Sequence, residues 1–163
     1  DDVKKIQLLP GVVDALSLLN DQQIPCFIVT NQSGIGRGFY TVDQYLQIEA
    51  YLNRLFLDHG IEFKQTYYCP YHPDHGVGEY KQESNDRKPN PGMLKRVMAD
   101  FNFTADELVM IGDNKVDIQA AQAIDMASVL VKTGLGETFI DQVQPDYIAE
   151  SLLAAVQEFI LKL

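Results

Sequence analysis

Three short stretches bring together residue types able to hold an anion and a metal ion. Thr30-Asn31-Gln32-Ser33-Gly34 offers a hydroxyl, an amide and exposed backbone N–H groups, the makings of an anion nest. The same residue types also make ordinary turns. Arg87-Lys88-Pro89-Asn90-Pro91 sets two cations side by side, Lys88 as a point charge and Arg87 as a planar fork. A solvated surface pair is the competing reading. Gly112-Asp113-Asn114, with Asp117 one turn on, carries a carboxylate that is a hard oxygen ligand suited to Mg²⁺ or, equally, a helix cap.

The elements that must position these residues alternate between strand and helix. Leu8-Leu9-Pro10-Gly11 leads into a helix whose apolar stripe is Val12, Val13, Leu16 and Leu19. Ile24 to Thr30 is a short apolar run that reads as a buried parallel strand, ending in a polar glycine-rich loop to Gly38. Thr41 is a good N-cap for a long helix toward His59-Gly60, and Gln65 to Cys69 reads as a strand. Pro70 to Pro91 has no hydrophobic period. Loops beyond about 12–15 residues are uncommon and tend to be functional. A helix from Pro91 to Phe101, a turn over Thr104 to Glu107 and an apolar strand from Leu108 to Gly112 follow. Then come a helix from Val116 to Ala123, strands over Ala127 to Val131 and Tyr147 to Ala149, and a terminal helix from Ser151 to Leu163. The pattern predicts an α/β fold with a parallel sheet sandwiched by helices. In such a sheet ligands bind beyond the carboxyl ends of the strands, where Asp113 falls.

At 163 residues the chain is expected to be one domain, 1–163, burying about two thirds of its unfolded surface. A net charge of −10 argues against a nucleic-acid or anionic-membrane binder but leaves room for a small anion at a local cation cluster. No apolar run approaches the roughly 20 residues of a bilayer span, and no signal peptide is visible. Cys26 and Cys69 make no disulfide framework, so a cytoplasmic setting is expected. With no apolar heptad in view, a monomer is the default expectation.

In combination, Thr-Asn-Gln-Ser-Gly-Ile-Gly-Arg-Gly at 30–38, Tyr-Tyr-Cys-Pro at 67–70, Arg-Lys-Pro-Asn-Pro-Gly-Met-Leu at 87–94 and Ile-Gly-Asp at 111–113 resemble the haloacid-dehalogenase phosphatases. Within that superfamily the chain is similar to the D-glycero-D-manno-heptose 1,7-bisphosphate phosphatases, with histidinol-phosphate phosphatases as near relatives. The resemblance implies a Rossmann-like fold with no large cap domain. It also implies Mg²⁺ and hydrolysis of a sugar phosphate monoester through an aspartyl-phosphate, with the 7-phosphate of the heptose bisphosphate ranked first. Carried over by position, Thr30 would hydrogen-bond phosphoryl oxygens, and Asn31, Gln32 and Ser33 would contact substrate. Lys88 would stabilise the phosphoryl group, Arg87 would recognise substrate and Asp113 would ligate Mg²⁺. Phosphoryl transfer needs placement and charge neutralisation above all, which these residue types provide.

The chain departs from the family pattern in three places. Asn114 stands where the branch often has lysine, so that position would hydrogen-bond substrate without adding charge. In the long loop the zinc-ligand positions of zinc-bearing relatives read Cys69, Tyr71, Ser84 and Asp86. Zn is therefore not expected, although Cys69, His72, His75 and Asp86 form a chemically possible substitute set. The third departure is the largest. The family's Asp-x-Asp motif, nucleophile and general acid/base at the end of a central strand, has no counterpart, since no two aspartates stand two positions apart. A buried sheet without its central strand would leave unpaired backbone groups at about 1–3 kcal/mol each. An upstream segment of roughly 20–40 residues carrying the nucleophile is therefore expected, and the 163 residues alone are expected to be inactive. The alternatives are a histidinol-phosphate phosphatase, a phosphotransferase, or a non-catalytic phosphate-binding or interaction protein of the same fold.

Overall fold

The computed structural model describes residues 6–163, which fall into two compact units, one ending at Ser84 and one running Asn85–Leu163.

In the first unit, helix α1 (Val12–Asp21) buries Ala15, Leu16 and Leu19 along one face, the stripe that 3.6-residue spacing demands. Strand β1 (Cys26–Asn31) starts two residues later than the apolar run, because Pro25 has no N–H to give to a ladder. The polar loop after it is not irregular throughout: Ser33–Gly36 closes a helical turn, α2. Helix α3 (Val42–Leu57) begins with a capping box. Gln44 N donates to Thr41 Oγ1 at 3.2 Å, and Thr41 N donates to Gln44 Oε1 at 2.8 Å. Its buried face carries Tyr45 and Phe56, leaving Leu46 and Leu57 exposed. Strand β2 (Phe63–Cys69) pairs parallel to β1, with Thr30 opposite Tyr68 and Asn31 opposite Cys69. Tyr45 packs on Tyr68 with ring centroids 4.7 Å apart, and Phe56 meets Phe63 edge-on at 5.2 Å.

The loop after β2 contains one 3₁₀ turn, Gly78–Tyr80. Tyr71 and Tyr80 pack at 6.0 Å, His72 N donates to Tyr80 O, and Val77 N donates to Gly36 O. These contacts hold a stretch that lacks any hydrophobic period.

In the second unit, α4 (Gly92–Phe101) buries Met93, Leu94 and Val97. Strands β3 (Val109–Gly112), β4 (Ala127–Val131) and β5 (Tyr147–Ala149) form a parallel sheet in the order β3-β4-β5. Parallel strands must be joined by crossovers. Helix α5 (Lys115–Gln122) is the first of these and packs on β3 and β4. Val129 and Leu130 are fully buried, each burial of this kind being worth about 1.5–3 kcal/mol. The link from β4 to β5 holds a 3₁₀ helix, Gly136–Gln142, that the sequence pattern does not announce. The terminal helix is shorter than its apolar pattern: α6 spans Leu152–Glu158 and gives way to a 3₁₀ turn at Ile160–Lys162. Phe159 leaves helical geometry where it stacks on Tyr147 at 5.5 Å.

Among the described residues the strands thus form two parallel sheets, of two and three strands, with helices beside them. No helix of the described residues is long and apolar enough to cross a membrane.

Candidate active site

The first set of candidate residues lies at the carboxyl end of β1. Thr30 and Asn31 are the last strand residues, and Gln32 caps the helical turn α2 from a non-helical conformation. Gln32 N donates to Cys69 O at 2.8 Å, tying the turn to the end of β2. The side chains of this turn are connected. The Tyr40 hydroxyl donates to Gln32 Oε1 at 2.7 Å, and Gln32 Nε2 donates to Thr30 Oγ1 at 3.0 Å. The Tyr40 ring lies against Gly34, where any Cβ would overlap it, so glycine is required at that point of the turn. Burial pushes the Tyr40 phenol above its ordinary pKa. Phe39, Tyr40, Thr41, Val42 and Tyr80 line an open hollow of about 410 Å³ beside this network. Arg37 lies over the exposed Phe39 ring, 4.5 Å from its centroid.

The second set lies in the second unit, at the carboxyl end of β3 and in the segment before α4. Lys88 is not a solvated surface cation. Its Nζ sits 2.6 Å from Asp117 Oδ1, and both side chains are 8% exposed. A charge pair this deep persists only when each ion satisfies the other, since desolvation alone costs several kcal/mol per ion. Arg87 beside it is half-buried, and Asp86 pairs with Arg96 at 3.0 Å.

Asp117 occupies this position because of the way α5 begins. Asn114 is the N-cap: its Oδ1 accepts from Val116 N at 3.3 Å, and its own N–H donates to Asp117 Oδ2 at 3.1 Å. One carboxylate thus uses one oxygen to close a capping box and the other to hold Lys88. The helix starts at Lys115, one residue before the expected Val116, for the same reason.

The capping role at this junction belongs to Asn114, which leaves Asp113 free of it. Asp113 is half-buried and accepts a hydrogen bond from Leu135 N at 2.9 Å through Oδ2. The backbone approaches closely enough that a Cβ on Gly134, at φ +68, would strike that same oxygen. The carboxylate is therefore oriented by the loop after β4. A hard carboxylate held at one oxygen, half open to solvent at a strand end, fits Mg²⁺, which commonly takes one or two carboxylates and fills its octahedron with water and phosphate. Among the described residues no three His, Cys, Asp or Glu side chains cluster closely enough to hold a metal, so Asp113 would be one ligand of a wider set. In the long loop, His72 Nδ1 accepts from Asp74 N at 3.2 Å and His75 N at 3.1 Å, and the two imidazoles pack at 4.7 Å.

Sequence spacing singled out Thr30, Asn31, Gln32, Ser33, Arg87, Lys88, Asp113 and Asn114. It placed Asp117 beside the third stretch without a role of its own, and it assigned no part to the Gly134-Leu135 backbone. Only the three-residue step from Asn114 to Asp117 carried a usable signal, that of a capping box. Nothing in the sequence links Lys88 to Asp117, or Asp113 to Leu135.

Residues 85–155 match the family model described as HAD-hydrolase-like. The chain is 37% identical over 134 residues to the D-glycero-beta-D-manno-heptose-1,7-bisphosphate 7-phosphatase of Vibrio cholerae, covering 82% of this chain and 72% of that protein. It is 35% identical over 152 residues to the Yersinia pestis protein of the same name, covering 93% and 81%. Among solved structures, the D,D-heptose 1,7-bisphosphate phosphatase of B. bronchiseptica, complexed with magnesium and phosphate, superposes with a TM-score of 0.87 at 25% identity. That match covers 99% of this chain and 88% of the other.

Proposed function

The chain belongs to the haloacid-dehalogenase-like phosphatases, a family of phosphomonoester hydrolases, and from that premise we propose that it hydrolyses the 7-phosphate of D-glycero-D-manno-heptose 1,7-bisphosphate with Mg²⁺. The observation that carries this reading is the buried Lys88–Asp117 pair, four residues from an Asp113 carboxylate that the Leu135 N–H orients. A lysine in such surroundings is a fixed cation, and phosphoryl transfer is accelerated chiefly by fixed charge and positioning. The heptose substrate is taken from the named relatives.

The chain's own residues divide the work. Thr30 and the N–H groups of the following turn bind phosphoryl oxygens, and Asn31, Gln32 and Ser33 line the approach of the substrate. The Lys88 ammonium, one donor directed at Asp117, offsets negative charge as the phosphorus–oxygen bond to the sugar breaks. Arg87 and Asn114 contact the rest of the substrate. Asp113 contributes a Mg²⁺ ligand, and the bound metal would supply charge neutralisation at the phosphoryl group. The aspartyl-phosphate route calls for an aspartate nucleophile, a role that none of these residues fills. The nucleophile's carboxylate forms a bond to phosphorus while the ester bond breaks and the sugar alkoxide takes a proton from the neighbouring acid. Water then cleaves the acyl phosphate to return the free carboxylate and inorganic phosphate.

A second reading is a phosphate-binding protein without turnover, and the lack of any paired Asp-x-Asp in these residues favours it. Phosphate release by the full natural protein, assayed on heptose bisphosphate and on histidinol phosphate with and without Mg²⁺, separates the two. Release from the heptose substrate that stops on chelation is expected. Release unaffected by chelation overturns the metal role, preferential release from histidinol phosphate overturns the substrate, and no release from either leaves the binding reading.

A further inference from the structure

We propose that Tyr40 is a positioning residue that aims the Thr30 hydroxyl at the phosphoryl group, acting through the side-chain amide of Gln32. The inference rests on the phosphatase reading above and adds to it a residue outside the matched motif.

The argument is one of donors and acceptors. A threonine hydroxyl has one proton and two lone pairs, and it assists phosphoryl transfer only if the proton points at a phosphoryl oxygen. Left alone it rotates, and the carbonyl end of the Gln32 amide is a competing acceptor. The Gln32 amide lies against Thr30, and either of its ends could face the hydroxyl. The Tyr40 hydroxyl partners the arrangement found. Its O–H donates to Gln32 Oε1 at 2.7 Å, so the oxygen is occupied and Nε2 is turned to Thr30 Oγ1 at 3.0 Å. One lone pair of Thr30 is thereby used as an acceptor, and its proton is directed away from Gln32. Without the Tyr40 hydroxyl the amide can reverse, and Thr30 then spends its proton on Gln32.

Three further features suit Tyr40 to this task. The phenol is half-buried, and its ring is seated on Gly34, a position open only because glycine has no Cβ. Burial raises its pKa further above neutrality. It also lines the 410 Å³ hollow with Phe39 and Tyr80, so a substrate body resting there presses on the same ring that orders the hydroxyl network.

The experiment is a double-mutant cycle on the full natural protein with Mg²⁺ and heptose bisphosphate. It uses Tyr40→Phe, which keeps the ring, Thr30→Val, and the two combined. Losing one ordering hydrogen bond should lower kcat about fivefold to tenfold in Tyr40→Phe. Because the proton matters most as charge develops, KM should move by less than about twofold. In the Thr30→Val background the Tyr40→Phe change should cost nothing further, since there is no hydroxyl left to aim. Melting temperatures of the variants, taken in parallel, report any folding defect. If Tyr40→Phe has wild-type kcat, or if its loss is additive with that of Thr30→Val, the positioning role is overturned while the phosphatase reading stands. If the wild-type protein neither hydrolyses the substrate nor binds inorganic phosphate in a ³¹P titration, both fall together.

Discussion

The two sets of candidate residues are built in opposite ways. The turn after β1 is assembled from neighbours within eleven positions of chain: Thr30, Gln32 and Tyr40 connect through neutral hydrogen bonds at half-buried groups, and the Tyr40 ring rests on Gly34. The junction after β3 is assembled from afar. Lys88 meets Asp117 across 29 positions, Asp113 meets Leu135 across 22, and the central contact is a buried charge pair. A neutral local bond contributes about 0.5–1.5 kcal/mol net, whereas breaking a buried ion pair leaves a stranded charge at about 3–5 kcal/mol. On the proposed reading the first region aims and the second anchors, and substitutions should separate the two.

The largest effect is expected from Asp117→Ala, which leaves the Lys88 ammonium buried without its carboxylate and also removes a capping acceptor. Urea unfolding should show a loss of about 3–5 kcal/mol, together with loss of turnover. The double change Lys88→Met with Asp117→Leu sharpens the point. Replacing both ions by apolar side chains should recover most of that stability, while turnover stays lost. Should the double variant remain active, the pair is structural and the anchoring role fails.

Next is Gly134→Ala. The added Cβ meets the Asp113 carboxylate at a backbone position, φ +68, that alanine tolerates poorly. Metal affinity, read by calorimetric titration with Mg²⁺, should fall about tenfold or more if Asp113 is the proposed ligand, since the variant loses its orienting partner. Unchanged affinity would separate the loop from the metal site. The Tyr40→Phe effect on kcat follows, smaller because one neutral hydrogen bond is at stake. Smallest of all for activity is Thr41→Ala, which breaks the α3 capping box one residue from Tyr40. It should cost about 1 kcal/mol in unfolding and leave kcat within about twofold. A large activity loss there would show that stability of the turn, rather than the Tyr40 hydroxyl, sets turnover.

Most of the fold was legible because its signals are local. Thr41 announced the start of α3 through its own side chain, and Ala127 to Val131 was readable as β4 to the residue because a buried parallel strand is a continuous apolar run. Boundaries moved where one side chain took a tertiary partner, as when Phe159 left α6 to stack on Tyr147. The 3₁₀ helix at Gly136–Gln142 escaped notice because it has no apolar period.

The candidate site divides along the same line. That Thr30, Lys88 and Asp113 are residues able to meet a phosphate and a metal was readable from side-chain types, their order, and their places after apolar strands. Which cation is buried and which acidic residue holds it was decided by tertiary structure. Capping and hydrogen-bonding capacity belong to a residue and travel with the sequence. Desolvation does not: it depends on which distant segment covers a charge. Lys88 is a surface cation or a buried anchor according to where Asp117 lies, and only the folded chain brings that carboxylate to 2.6 Å.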